Sequence, residues 1–235
     1  MSAGRTAAAR WYVALPRQVE RALLACGMIG APLFVVAFLV EGATRADYSP
    51  LRHPVSSLSF GEFGWMQVTN FVVTGVLLFG FALGLRSALH RRGGIWASLL
   101  IALVGVGLLG AGVFAADPIS GYPPGTPMVS ARTTFGTLHD VFSTPVFTAL
   151  PAACLVAARW FARSGHRGWA SYSAATAVVF VTSFAFARVG FSQHPAFMPV
   201  GGLLQRAALI VGLLWVTVLA AYMLRLTSGP EATAG

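Results

Sequence analysis

Apolar residues in this chain fall into six long, unbroken runs and do not alternate with polar ones. The runs are Ala22–Val40, Met66–Leu85, Gly94–Ala116, Val141–Ala158, Gly168–Ala187 and Ala207–Leu224. Each holds 18 to 23 residues without a charge, and roughly 20 residues of helix cross a hydrocarbon core. In lipid only helices and closed barrels satisfy their own backbone, and continuous runs are not the alternating pattern of barrel strands. The pattern therefore predicts an all-α integral membrane bundle of six transmembrane helices. The first run follows Arg5, Arg10, Arg17 and Arg21, as a signal peptide would. Its 19 residues exceed the roughly 7–15 of a signal core, so an uncleaved anchor is expected. The chain then divides into a basic tail (1–20), the bundle (21–226) and a short tail (227–235) expected to be disordered.

Composition agrees with the pattern. Of 235 residues, 56% are hydrophobic and 10% charged, and the mean hydropathy is +0.72, values of the membrane class. All sixteen basic residues are arginine. A net charge of +9 would suggest nucleic acid in a soluble protein. Beside apolar spans it reads as topology, so nucleic acid is not an expected partner. Eleven arginines border one side of the spans (5, 10, 17, 21, 86, 91, 92, 159, 163, 167 and 225) and five the other (45, 52, 132, 188 and 206). The positive-inside rule then puts both termini in the cytoplasm. Cys26 and Cys154 fall inside spans and read as packing residues.

Two long extracytoplasmic loops follow the first and third spans. Five of the seven acids, Glu41, Asp47, Glu62, Asp117 and Asp140, lie on that side with His53, His139 and His194. Polar residues also continue into the helix ends. Gln67, Asn70 and Thr74 share one helical face, His139 and Ser143 another, and Gln205–Arg206 open the sixth span. Polar side chains at membrane depth face the protein interior or a wet cavity. One vestibule, roofed by both loops, accommodates them all.

Plainer readings compete for several of these residues. Ser59-Phe-Gly-Glu62 fits a capping box opening the second helix, and Thr137-Leu-His-Asp140 a looser one opening the fourth. Tyr122-Pro-Pro-Gly125 reads as a rigid turn, and Pro145 as a kink.

The segments "RHPVSSLSFGEFGWMQ", "DPISGYPPGTP" and "TLHD" occur in this order between six apolar spans. In this the chain resembles domain-of-unknown-function family 998, bacterial multi-pass membrane proteins, from about Arg21 to Leu226. The resemblance implies a six-helix protein of a bacterial cell membrane. It brings no activity and no catalytic residues.

Three kinds of function stay open on the residues. An enzyme acting on a lipid or isoprenoid-like substrate would use His139 as acid or base, oriented by Asp140 or Asp117. Arg52 and Arg132 would hold an anionic head group, with His53, Ser57, Asn70, Tyr122 and Arg188 completing the binding site. No cofactor is required, although His53, His139 and His194, with Asp117, are candidate zinc ligands. A transporter or binding protein for a small anion or amphiphile is the second kind. It lacks charges in the other half of the spans, where transport pathways place polar groups. The third is an accessory subunit, with Gly75, Gly80 and Gly84, and Gly105, Gly107 and Gly110, as packing faces. Beyond the lipid bilayer, the expected partner is a lipid or small amphiphile.

Overall fold

The computed structural model describes residues 15–89 and 95–227. Arg5, Arg10, Trp11, His90, Arg91 and Arg92 lie outside the described residues, as do most of both tails. Among the described residues, six helices are long and apolar enough to cross a membrane. They are α1 (Arg17–Thr44), α2 (Gly64–Ala88), α3 (Ile95–Val113), α4 (Thr134–Arg163), α5 (Arg167–Phe191) and α6 (Gly201–Leu226). Each packs against the helix before it, and α6 closes the ring on α1. Connections 45–63, 114–133 and 192–200 meet at one end of the ring, called the loop end below.

The helices overrun the apolar runs where polar residues find partners. α4 starts at Thr134, a full two turns before Val141, so His139 and Asp140 are helical. Its N-cap is Thr133, whose hydroxyl accepts the Gly136 N–H at 2.9 Å. That corrects the expected cap at Thr137, whose hydroxyl donates back to the Thr133 carbonyl at 2.8 Å. The expected box at Ser59 is corrected too. α2 begins at Gly64 with no side-chain cap, because Val55–Ser59 forms a separate 3-10 turn.

Glycines let the helices approach. A methyl group added at Gly75 would stand 2.8 Å from the Gly105 carbonyl oxygen, and one at Gly105 would stand 2.8 Å from that of Gly75. One at Gly107 would stand 2.6 Å from the Phe142 carbonyl oxygen, and one at Gly110 would run into the Phe142 ring. These small-residue faces are therefore used inside the bundle, α2 on α3 and α3 on α4. Helix packing in lipid rests on such close van der Waals contact, since apolar burial gains little from an apolar solvent.

Candidate functional site

At the loop end, α6 anchors the connection 45–63. Gly202 carries no side chain, so the Pro50 and His53 carbonyls lie over it, 2.7 and 2.5 Å from where a methyl would stand. The Leu203 N–H donates to the Leu51 carbonyl at 2.9 Å, and Gln205 Oε1 accepts the Val55 N–H at 2.8 Å. Arg206, 4% exposed, donates through Nη1 to the carbonyls of Pro50 at 2.7 Å, His53 at 3.0 Å and Gly202 at 3.0 Å. Its Nη2 bonds the Tyr48 hydroxyl, and the guanidinium lies over the rings of Phe38 and Tyr48. Among the described residues it has no carboxylate partner, so carbonyl dipoles and aromatic faces stabilise the buried cation.

An aromatic group joins this loop to the next one. His53 lies 5.4 Å from Tyr48 and 5.1 Å from Tyr122, and the two tyrosines are 5.2 Å apart. His53 Nδ1 accepts the Ser49 N–H at 3.0 Å. Burial, with Arg52 and Arg206 nearby, holds its imidazole below the ordinary histidine range, because a cation there would be desolvated beside other cations. Burial pushes the Tyr48 hydroxyl up to about 12, against the pull of Arg206. The connection 114–133 folds on itself through Ser120 N–H to the Met128 carbonyl at 2.8 Å. It is tied to the third connection by Gln193 Nε2 donating to Ser120 Oγ at 3.0 Å.

Beneath these loops is a cavity of about 820 Å³. Its floor is apolar: Phe34, Phe71, Leu108, Val146, Phe147 and Leu209. Its rim is polar: Asp117, Arg132, Asp140, Arg188 and Gln205, with Ser143 and His139 partway down. An apolar floor with a few convergent polar groups is the usual form of a small-molecule site.

His139 is 5% exposed and performs two tasks. Its Nδ1 faces the carbonyls of Ala111 at 3.2 Å and Phe114 at 2.9 Å. Two acceptors require that nitrogen to carry the proton. The contact also satisfies carbonyls at the end of α3 that have no partner within that helix. Nε2 makes no hydrogen bond among the described residues, and the ring lines the cavity. With Nδ1 carrying the proton, Nε2 is the ring nitrogen left without a partner among the described residues.

Asp117 faces the cavity but is committed elsewhere. Its carboxylate accepts the Thr133 N–H at 3.0 Å and hydroxyl at 2.7 Å. It also rests on Gly136, where any side chain would collide with it. Its charge sits on the positive end of α4. Asp140 makes a loose 3.7 Å pair with Arg132, the two being 57% and 73% exposed. Arg188 has no ion pair or side-chain hydrogen bond among the described residues.

The structure therefore gathers His139, Asp140, Asp117, Arg132 and Arg188 around one cavity. It does not bring Arg52, His53, Ser57, Tyr122, Asn70 or His194 to it. His53, Ser57 and Tyr122 are buried roof residues. Arg52 reaches the Met128 sulfur at 3.0 Å. Asn70 donates to the Phe34 carbonyl at 3.2 Å within the α1–α2 seam. His194 is exposed and accepts the Ala196 N–H at 3.3 Å. The zinc candidates consequently do not converge, and no three His, Cys, Asp or Glu side chains among the described residues form a metal-holding group. Neither Gln205 nor the Phe147–Phe184 pair on the floor stood out in the sequence as a ligand contact. For Gln205 a polar residue opening an apolar span was the available signal. For two phenylalanines among many there was none.

The profile of a family described as "Protein of unknown function (DUF998)" matches residues 28–222. No curated protein and no solved structure matches the chain.

Proposed function

The chain belongs to the DUF998 family, a multi-pass membrane protein by its six spans, and from that premise we propose that it is an enzyme of the bacterial cell membrane acting on an amphiphile. The arginine count supports cytoplasmic termini and a loop end on the outer side. The amphiphile's tail lies on the apolar floor and its head group at the polar rim. His139 exchanges a proton with the head group or with a water beside it, through Nε2.

The observation that carries this reading is the one-sided bonding of His139, with Nδ1–H held by two carbonyls and Nε2 without a partner among the described residues, on a side chain that lines the cavity. A histidine needed only for packing would have no reason to leave one nitrogen unbonded in a polar-rimmed space. A general base needs that arrangement: one nitrogen orients the ring, the other receives the proton, and the carbonyls stabilise the imidazolium formed. Asp117 acts at one remove, holding the start of α4 on the end of α3 and so keeping His139 in register.

A carrier or binding protein with no chemistry is the second reading. It is favoured by the absence of any hydrogen bond between His139 and Ser143 among the described residues, which leaves His139 without an attached nucleophile.

The test is native mass spectrometry of protein extracted gently from its own membrane, compared with His139→Asn. An asparagine amide reproduces the Nδ1–H donor and removes Nε2, so the fold is kept. Enzyme chemistry predicts a bound lipid in the variant of different mass from that in the native protein, the unprocessed substrate. A carrier predicts the same species in both. No bound species in either would sink both readings.

A further inference from the structure

The cavity does not stop at the inner surface of the ring. On α4, His139 and Val146 face inward at 5% and 4% exposure, whereas Val141 is 59% exposed, and Thr144 and Thr148 are also exposed. All five line the same cavity. At about 100° per residue these positions cover half the circumference of α4, from its inward face to its outward face. Across from them, exposed Arg188 and half-buried Phe184 of α5 line it too. The upper halves of α4 and α5 therefore stand apart, and the cavity continues through the seam to the surface that meets lipid. Phe147 stacks on Phe184 with centroids 3.8 Å apart and rings 4° from parallel, closing the slot below.

The slot has the chemistry of a lipid passage. From Asp140 to Thr148 it runs about 12 Å along α4 at the helical rise. The Thr144 and Thr148 hydroxyls donate to the carbonyls four residues back, at 2.8 and 2.9 Å. Neither threonine hydroxyl is left unsatisfied, and their methyl groups remain for packing. At the top, charges are unequal. Asp117 is hydrogen-bonded by Thr133 at the start of α4, and Asp140 faces Arg132. Arg188 is the rim charge without a counter-charge among the described residues.

We infer that the α4–α5 slot admits an anionic membrane lipid sideways from the leaflet at the loop end, its acyl tail lying between Thr144, Thr148 and the Phe147–Phe184 pair and its charged head group on Arg188. This rests on the reading that the cavity takes an amphiphile, and it adds the route and the charge. It also accounts for a rigid roof. A ligand that enters from the side needs no opening of the loops that Arg206 and the Tyr48–His53–Tyr122 group hold shut.

The test uses the whole protein in phosphatidylcholine vesicles holding a small fraction of phosphatidylglycerol with a photoactivatable diazirine tail. A parallel sample holds the corresponding choline lipid. After irradiation, the attached tails are mapped by peptide mass spectrometry. The anionic probe is expected to concentrate several-fold on Val141–Thr148 and Phe184, relative to the exposed α1 and α5 positions Val36 and Val178. The choline probe is expected to show no such preference. Arg188→Gln should reduce the anionic probe to the level of the choline probe. Thr144→Trp, which fills the slot, should remove the preference without touching the rim. Equal attachment at Thr144 and Val36, or equal behaviour of the two probes, would overturn the inference. Slot labelling beside identical bound lipids in native and His139→Asn protein would keep the passage and refute the chemistry. A trapped substrate without slot labelling would do the reverse.

Discussion

Removing the Arg206 guanidinium should unfasten the roof without unfolding the bundle. Arg206→Leu deletes the bonds to the Pro50 and His53 carbonyls, at 2.7 and 3.0 Å, and the bond to the Tyr48 hydroxyl. Hydrogen bonds to a charged group contribute roughly 1.5–3 kcal/mol each. The two loop carbonyls alone, taken at the low end because the opened loop recovers water, hold the roof by about 3 kcal/mol. At 1.4 kcal/mol per decade the open population should rise by roughly a hundredfold. Ser57 reports that population, being 1% exposed in the 3-10 turn just beyond the clamp. A Ser57→Cys protein in a Cys26→Ser, Cys154→Ala background should react slowly with an impermeant maleimide, and about two orders of magnitude faster when Arg206→Leu is added. Arg206→Lys, with a point charge in place of the planar fork, should fall between. The Leu203 and Gln205 contacts remain in both variants, so the thermal midpoint should move little. A rate increase below about threefold would refute the clamp. So would fast labelling in the Arg206 protein, which would mean that the roof is already open.

Four other outcomes follow from the same contacts. Gly110→Ala places a methyl in the Phe142 ring and should destabilise the detergent-solubilised protein by about 1–3 kcal/mol, seen as a lower unfolding temperature. His139→Leu leaves the Ala111 and Phe114 carbonyls unbonded at a further loss of about 1–3 kcal/mol, whereas His139→Asn should unfold at the native temperature; equal behaviour would deny His139 its role on α3. Thr133→Ala removes the α4 cap and the partner of Asp117, and should lower stability by about 1 kcal/mol. His53 binds its proton less readily when folded than at the unfolded value of about 6.5, so stability should fall as pH drops through and below that value; His53→Gln should flatten this slope, and an unchanged slope would place the titration elsewhere.

The six helices were legible because a bilayer removes alternatives: a continuous apolar run of this length has no other way to satisfy its backbone. The ends of the helices were less so. Thr137 and Asp140 match a cap by spacing, yet Asp117, nineteen residues before Gly136 in the chain, supplies a carboxylate to the start of α4 together with Thr133. That contact exists only after α3 and α4 pack, so a local pattern cannot announce it. His53, Ser57 and Tyr122 were grouped with the ligand site because they share a polar end with it. Which polar residues bond each other and which face the cavity depends on side-chain direction, and spacing along loops says nothing of that. His139 and Arg188 sit on helices and line the cavity, but a helical position alone does not decide this: Asn70 is helical too, and its amide is committed to the Phe34 carbonyl.

The polar residues of the loop end separate by what is left over after they bond. Arg206 Nη1 and Gln205 Oε1 tie α6 to the first connection, Tyr48 and His53 bond within that connection, and Asp117 bonds Thr133 within the second; these bonds give the loop end a unique shape that lipid-driven packing alone would not. His139 and Arg188 do not close their account in this way: one keeps an unbonded nitrogen and the other an unmatched charge, and both remainders point into the same cavity. A buried polar group without a partner destabilises a fold unless water or a ligand completes it, and an exposed cation without an ion pair, such as Arg188, is free to take one. The two remainders also differ in kind, a proton acceptor deep in the cavity and a cation at its mouth beside the slot. A ligand that satisfied both would carry a negative charge at the membrane surface and a proton-bearing group further in, with its tail leaving between α4 and α5. Under the proposed reading a small inorganic anion would meet Arg188 and leave the apolar floor and His139 empty.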